Sequence, residues 1–485
     1  MENFISFVIA HAPGVFAFLF AALYVLPAAG TIIHILLYKD DIKSSIGWIG
    51  LVILSPIIGS VLYLFFGINR VRRKAVKLRK KGSIFEKFSK EEMEDVFKNL
   101  PLQSKQFMLF GRKVSPQNFT YGNSVKPLQN GTEAYPEMIE AIKKASKEVL
   151  VQSYIFDCDS ETEKFFDAFK AAIKNGAFVK VLIDAIGTLS FMERSVERKL
   201  SEIRGLEYGV FLPPRIPIAF PFVNLRNHRK VMIIDGKTAF FGGMNLSGDN
   251  VLLDDKERGV LDLTFKIEGP VIDQLSQAFE DDWEFTTGKQ MRACSGDLPI
   301  VEAGNIEARV ITDGPDMTDG KIELLAHGAI NSATKKISVV TPYFLPENNI
   351  LTALEMAAMK GVDVEIIIPE ISNHRIMRWA EEPNFRRLVE KGIKIYRTPR
   401  PFDHTKVFIV DNEWIFIGSA NWDVRSFKLH FESNMELFSK ELAQQLNGII
   451  AEKKKKAKTV TLEDCNIFVL KRLRNNAFRL LTPYY

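Results

Sequence analysis

The sequence predicts an α/β protein made of two like repeats packed with pseudo-two-fold symmetry, preceded by an N-terminal transmembrane helical hairpin. Three observations carry this. Helix and strand patterns alternate from about Gly122 onward. Two stretches, "NHRKVMIIDGKTAFFGGMNLS" from Asn227 and "DHTKVFIVDNEWIFIGSANWD" from Asp403, repeat one polar set at matching spacing. Two long uncharged runs open the chain.

The first run extends from Asn3 to Tyr38 and the second from Ser44 to Asn69. Each exceeds the roughly 20 apolar residues that cross a bilayer. "YKDDIKSS" lies between them, and eight of the twelve residues from Arg70 to Lys81 are basic. A flank so basic stays cytoplasmic, which predicts a multi-pass hairpin with both ends inside. Met-Glu-Asn at the start lacks the positive region of a cleaved signal, so "LPAAG" reads as part of the anchor. Pro56 interrupts the second run, and a kinked or re-entrant segment is the alternative geometry. The basic tract also suits anionic membrane lipids. The expected division is a hairpin over 1–69, a basic juxtamembrane linker over 70–122, and repeats over 123–300 and 301–485.

In the first repeat "EAYPEMIEAIKKAS" has helical spacing and "KEVLVQSYIF" follows as a strand. "ETEKFFDAFKAAIKNG" is a helix closed by Gly176, and "AFVKVLID" and "GLEYGVFL" are strands leading to the first motif. The second repeat keeps this order through "KIELLAHGAINSAT", "KKISVVTPYF", "NILTALEMAAMKG", "VDVEIII" and "GIKIYR". Strands alternating with helices predict a largely parallel sheet covered on both faces. The C-terminal "FVLKRLRNNAFRLL" is basic and amphipathic. It fits either a membrane surface or a closing helix on the second repeat.

His228 and His404, Lys230 and Lys406, Asp235 and Asp411, and Asn245 and Asn421 are each 176 residues apart. A period this long means duplicated domains, not a solenoid. "VMIID" and "VFIVD" read as strands, which puts His and Lys two residues apart on one face. The turns "DGK" and "DNE" then return a second strand that brings the Gly and Asn alongside. The other histidines, His11, His34, His327, His374 and His430, have no Lys two residues on, so the pairing is not a by-product of composition.

Two histidines facing each other across a pseudo-two-fold axis suit phosphodiester chemistry. One imidazole attacks phosphorus and the other, protonated, gives a proton to the departing alkoxide. Lys230, Lys406, Asn245 and Asn421 would hold the non-bridging oxygens. Asp235 and Asp411 stand before Gly or Asn, where a turn role accounts for them equally well. No metal and no cofactor is expected. The three cysteines are far apart, which argues against a disulfide framework or zinc ribbon. The net charge of +5 by itself excludes little, and no basic face interleaved with aromatics predicts a nucleic-acid partner.

The paired HxKxxxxD motifs followed by GGxN and GSxN resemble the phospholipase D superfamily. "WIGLVILSPIIGSVLYLFFG", "TPYFLP", "GSANWDVRSFKLHFESNMEL" and the terminal "RLLTPYY" extend the likeness, from about Ile46 to Tyr485, to the bacterial cardiolipin synthases. The resemblance implies two phospholipase D-like repeats sharing one site in an enzyme of the bacterial cytoplasmic membrane, with the catalytic part in the cytoplasm. It implies transfer of a phosphatidyl group between two phosphatidylglycerol molecules through a phosphatidyl-histidine, with His228 as nucleophile and His404 as acid and base. The symmetry of the sequence leaves their roles interchangeable. In this superfamily Asp235 and Asp411 would support the architecture and charge of the site. Glu432 resembles a carboxylate that bonds a catalytic His, beside the alternative of a strand-edge charge. Asp262 is retained in "VLDLTF", where Thr264 replaces a family His, and His430 stands where Asn is usual. A phospholipase D hydrolase, a phosphatidylserine synthase, a nuclease and an inactive scaffold are the competing readings.

Overall fold

The computed structural model describes residues 20–39, 42–67, 102–115, 117–188, 195–213, 225–252, 259–297, 301–314 and 320–480, with single positions 14 and 18. The start of the first apolar run, the basic tract of 70–81 and the final residues 481–485 lie outside them. The chain forms two compact units, one of residues 1–74 with 215–222 and one of the remainder.

In the first unit a π-helical turn (Ala21–Val25) leads into α1 (Leu26–Tyr38), followed by α2 (Ile42–Leu54), α3 (Pro56–Leu62) and a second π-helical turn (Tyr63–Gly67). The second apolar run is not one span. Ser55 leaves the helical region with φ −146° and ψ 81°, and Pro56 opens a new helix. The chain doubles back closely enough that a Cβ on Gly59 would lie 2.7 Å from the Leu51 carbonyl oxygen. His34 Nδ1 lies 2.9 Å from the Tyr63 hydroxyl, and Trp48 packs edge-on to the Tyr63 ring. At about 1.5 Å per residue α2 rises about 20 Å and α3 about 10 Å, less than a bilayer core of about 30 Å. Among the described residues no helix is long and apolar enough to cross a membrane. Among the described residues the second run is therefore short helices with a reversal at Ser55–Pro56 in place of one span, and the two-span hairpin expected over 1–69 is not supported.

The second unit opens with α4 (Leu102–Val114), inside the stretch expected to be a linker. Its Phe107 packs edge-on against Trp414, so this part of 70–122 belongs to the folded body. The first repeat follows as β1 (Thr120–Gln129), α5 (Asn130–Lys144), β2 (Glu148–Ser153), α6 (Ser160–Lys174), β3 (Phe178–Asp184), α7 (Ser195–Glu202), β4 (Leu206–Phe211), β5 (Val231–Ile234), β6 (Thr238–Gly242), β7 (Val260–Leu261), β8 (Leu263–Glu268) and α8 (Val271–Thr287). The second runs through β9 (Ile306–Asp313), α9 (Lys321–Ser332), β10 (Lys336–Val340), β11 (Phe344–Leu345), α10 (Asn348–Met359), β12 (Asp363–Pro369), α11 (Arg375–Val389), β13 (Lys394–Thr398), β14 (Phe402–Asp403), β15 (Val407–Val410) and β16 (Trp414–Gly418). It ends with β17 (Trp422–Asp423), α12 (Val424–Lys428), β18 (Glu432–Phe438), α13 (Lys440–Lys455), β19 (Lys458–Thr459) and α14 (Val469–Leu480).

The main strands join one sheet in the order β19-β13-β12-β10-β15-β16-β18-β9-β1-β8-β6-β5-β2-β3-β4. Read outward from the β9–β1 pair, the two halves run through corresponding strands, which is the pseudo-symmetry that the repeated motif predicts. The sheet is mixed, correcting the largely parallel expectation. Helical crossovers make β2-β3-β4 and β10-β12-β13 parallel. The motif strands β5–β6 and β15–β16 are joined by tight turns and are antiparallel, as such a connection requires. One buried layer is shared between the repeats: Phe279 and Trp283 of α8 and Leu442 and Leu446 of α13 belong to it, with Ile267 and Met435 of the sheet. The other cores belong one to each repeat, under α5 and α6 in the first and α9 and α10 in the second.

Candidate active site

His228 and Lys230 lie in an extended segment just ahead of β5, and His404 and Lys406 occupy the same place ahead of β15. Each segment is captured by the opposite repeat. Asn227 bridges to Phe431, and the His228 amide donates to the Phe431 carbonyl at 2.9 Å. In return β14 pairs with β7, and the His404 amide donates to the Leu261 carbonyl at 2.7 Å. The side chains repeat this exchange. His228 Nδ1 lies 3.1 and 3.2 Å from the Glu432 carboxylate oxygens and 3.1 Å from the Ser419 carbonyl. His404 Nδ1 lies 2.8 Å from Asp262 Oδ2. Each imidazole is thus held by a carboxylate of the other repeat, and the two motifs form one site.

These contacts assign the tautomers. His228 Nδ1 faces only acceptors, so it carries the proton and donates it, leaving the Nε2 lone pair free. Both lysines fold back on their own histidine, with Nζ donating to the His228 or the His404 carbonyl at 2.6 Å in each repeat. Lys406 Nζ also lies 3.0 Å from each nitrogen of the His404 ring. The Asn245 side-chain oxygen accepts from the Ile155 amide at 3.1 Å, whereas the Asn421 side-chain oxygen is buried without a partner.

The glycine pair has a steric cause. A Cβ on Gly243 would lie 2.8 Å from Asp262 Oδ1, and one on Gly418 would lie 2.3 Å from the Ser433 carbonyl. Ser419 takes the place of Gly243 in the second repeat, and its hydroxyl donates to the longer Glu432.

Burial sets the charges. It pushes the His228 imidazole down to about 3, with Lys230 adding to the effect and Glu432 opposing it. It takes His404 down to about 4, helped by Lys406. Both rings are therefore neutral at pH 7 in the empty site. Lys230 is held well below the ordinary lysine range by burial, and Lys406 falls to about 8 by burial against the pull of Asp262 and Glu432. An anion entering this site meets an ammonium on Lys406 below about pH 8 and a neutral amine above it. We expect inhibition by inorganic phosphate to weaken as pH rises above about 8, by up to tenfold per unit. A flat inhibition constant from pH 7 to 9.5 would remove Lys406 from anion binding.

Asp235 and Asp411 do not join this cluster. Each sits at the far end of its motif strand with positive φ, 52° and 54°. Asp235 accepts from the amides of Ser146, Lys147 and Glu148. Asp411 accepts from those of Thr334, Lys335 and Lys336. They tie the motif turn to the loop that enters β2 or β10, an architectural contact at the end of the strand away from the histidines. The amides hold both carboxyls below their ordinary value, although burial acts to raise them. The stabilisation is therefore present at neutral pH and is lost as acid protonates them. Asp411→Ala is expected to cost about 2–3 kcal/mol of stability through lost charged hydrogen bonds. Its effect on turnover at a permissive temperature should be small, as a melting curve beside an activity assay will read.

Residues that the repeat does not copy complete the site. The Tyr154 ring packs edge-on to His228 at 4.9 Å, with Lys230 Nζ 5.3 Å above it. Arg229 donates to Asp282 at 2.6 Å, to the Glu432 carbonyl at 3.0 Å and to the Asp313 carbonyl at 3.1 Å, which ties the repeats together beneath His228. The His430 ring lies 5.5 Å from that of His228, and both its nitrogens are buried without a hydrogen-bond partner. No repeated spacing marks Tyr154 or Arg229, because their counterparts in the second repeat, Pro342 and Thr405, differ in chemistry. Among the described residues His228, His430 and Glu432 are also close enough to hold a cation, with ligating atoms within 4.8 Å of one another.

The family described as "Cardiolipin synthase, PLD-like domain" matches this chain at residues 138–283 and 327–453. The family described as "Phospholipase_D-nuclease N-terminal" matches at residues 27–67. A cardiolipin synthase of Clostridium perfringens is 31% identical over 453 residues, covering 90% of this chain and 93% of its own. A probable cardiolipin synthase of Bacillus subtilis is 30% identical over 432 residues, covering 87% of this chain and 84% of its own. Among solved structures, a phosphatidylserine synthase of Haemophilus influenzae superposes with a TM-score of 0.60 at 16% identity, covering 78% of this chain and 99% of its own. That likeness concerns the fold alone. With the family match spanning more than half its length in two stretches, one in each repeat, this chain belongs to the cardiolipin synthase family with PLD-like domains.

Proposed function

We propose that this site is a phosphatidyltransferase that joins two phosphatidylglycerol molecules into cardiolipin and releases glycerol. The observation that carries the chemistry is the crossed pairing of His228 with Glu432 and His404 with Asp262. The named activity of the relatives supports the substrate.

His228 Nε2 attacks the phosphorus of one phosphatidylglycerol, forming an N–P bond as the P–O bond to glycerol breaks. His404 gives the leaving alkoxide its proton, and the negative diester beside it favours the imidazolium this step needs. Glycerol departs. A hydroxyl of the second phosphatidylglycerol passes its proton to His404 and attacks phosphorus, and His228 leaves. Lys230, Lys406, Asn245 and Asn421 hold the phosphoryl oxygens throughout.

In the first unit Leu36, Leu37, Leu54 and Ile58 all face outward, a surface that suits lipid better than water. We take it as the element that holds the protein on the bacterial cell membrane, with the repeats in the cytoplasm. Accessibility of a cysteine placed at Lys39, just past α1, distinguishes a crossing from a re-entrant insertion.

Purified full-length protein in detergent, given labelled phosphatidylglycerol with a chelator present, should yield cardiolipin and glycerol in equal amounts. Phosphatidic acid without cardiolipin would make the enzyme a hydrolase, and phosphatidylserine on addition of serine would make it a different transferase. Activity that vanishes with chelator and returns with a divalent ion would assign His228, His430 and Glu432 to a metal.

A further inference from the structure

The C-terminal helix α14 is amphipathic in the reverse sense to an ordinary packed helix. At about 3.6 residues per turn, Val469, Leu470, Leu473, Ala477 and Leu480 fall on one side. That side faces out: Val469 is 63% exposed, Leu470 68%, Leu473 62% and Leu480 77%. The side turned to the protein is polar and aromatic. Asn475 is fully buried and donates to Glu382 of α11 at 2.5 Å. The Arg474 guanidinium stacks 4.2 Å over Trp379, Phe478 packs on the same ring at 5.2 Å, and Arg479 reaches Asn384 at 3.2 Å. These partners fix the helix in orientation, so its outward apolar face is built in rather than left over from a loose end.

We infer that α14 is an interfacial helix that seats the catalytic unit on an anionic bilayer, with Val469, Leu470, Leu473 and Leu480 sunk among the acyl chains. Charge chooses this occupant over a protein partner. Arg472 borders the apolar stripe, Lys471 adds a second exposed cation, and the helix itself carries no acidic residue, the pattern of helices that lie in a headgroup layer. The preceding segment adds Leu462 and Phe468, both exposed.

The position serves the reaction. Phe478 packs into a small cluster with Tyr343, Met377 and Phe402, and the Phe402 ring is 6.0 Å from that of His404. A bilayer lying on α14 is thus tied through one layer of side chains to the half of the site where the second lipid's hydroxyl is activated. This purpose rests on the lipid transferase reading. The membrane contact does not.

Full-length protein in vesicles of phosphatidylcholine and phosphatidylglycerol, doped with a phosphatidylglycerol bearing an acyl-chain diazirine, tests the contact by mapping lipid adducts after illumination. Adducts are expected within 468–480 and should fall at least tenfold in the Leu470→Asp, Leu473→Asp double variant, whose substituted side chains are exposed. Adducts in the N-terminal apolar segment with none in 468–480 would overturn the inference, as would cross-links joining two α14 helices in their place. The double variant should lose about tenfold in turnover on vesicles and nothing on a short-chain monomeric phosphatidylglycerol. Equal losses on both would mean a structural effect and count against it. Adducts on α14 without cardiolipin synthesis would instead sink the transferase reading and leave this one standing.

Discussion

His404→Ala enzyme given a phosphatidyl ester of p-nitrophenol is expected to release one nitrophenolate per site in a burst and then stall. This leaving group departs without a proton, so the first step proceeds without His404. The second step needs a base to take the acceptor's proton, and none remains. The label should be recovered as a phosphatidyl group on His228 in a base quench. His228→Ala should show no burst. On phosphatidylglycerol, whose alkoxide needs protonation, His404→Ala should lose about 10²- to 10⁴-fold. The proposed division of roles rests on the contacts of the two rings. His228 Nδ1 has two acceptors, Glu432 and the Ser419 carbonyl, which fix its Nε2 as an unprotonated nucleophile. The ring of His404 has Asp262 at Nδ1 and, within 3.0 Å of both nitrogens, Lys406 Nζ, which puts a proton source beside it. A burst in His228→Ala with none in His404→Ala would exchange the two roles.

The constant spacing of 176 residues brought out the histidines, lysines and asparagines because the strands that carry them are copied without insertion. The same spacing left Asp235 and Asp411 between a turn role and support of the site's charge. They lie five residues beyond the lysines, about 16 Å along an extended chain, and only three-dimensional contacts show which end of the strand is the site. The carboxylates behave in the opposite way. Asp262 and Glu432 are 170 residues apart, because the loop leading to the second is six shorter, so the repeat alone does not pair them. Sheet register does: Gly242 pairs with Thr264 and Gly418 with Asn434, which puts each carboxylate two residues ahead of an equivalent position. Their family resemblance had marked them, but not that each serves the other repeat's histidine.

Elsewhere the sequence was legible in type and not in path. An uncharged run reads the same whether it crosses a bilayer or folds back, and here the reversal is made by the backbone of Ser55 with Pro56. The helix α4 sat unseen in a polar stretch because its partners, Trp414 among them, are some three hundred residues away. For α14 both readings of its sequence describe part of it: it closes on the second repeat through α11, and it does so with the face a water-soluble helix would turn outward.

The crossed carboxylates make the second large effect separable from the first. In Glu432→Gln the fully buried carboxylate becomes an amide that must satisfy both the Ser419 hydroxyl and His228 Nδ1 with a single oxygen. If the amide nitrogen turns to the imidazole, the ring moves its proton to Nε2 and the nucleophile loses its lone pair. A wrong tautomer of this kind costs about 10⁴-fold in a serine protease triad, and a loss of about 10²- to 10⁴-fold is expected here. Lys230 and Lys406 remain, so KM for phosphatidylglycerol should change little while kcat falls. The burst with the nitrophenyl ester should slow by the same factor. Asp262→Asn disturbs His404 instead, and it should keep the burst and stall the turnover that follows. The two changes lie at equivalent register positions of the two repeats, and the difference between them is read beside melting curves of both variants. It reads out which histidine each carboxylate serves, and a fast burst in Glu432→Gln with a slow one in Asp262→Asn would show that the attacking ring is the one held by Asp262.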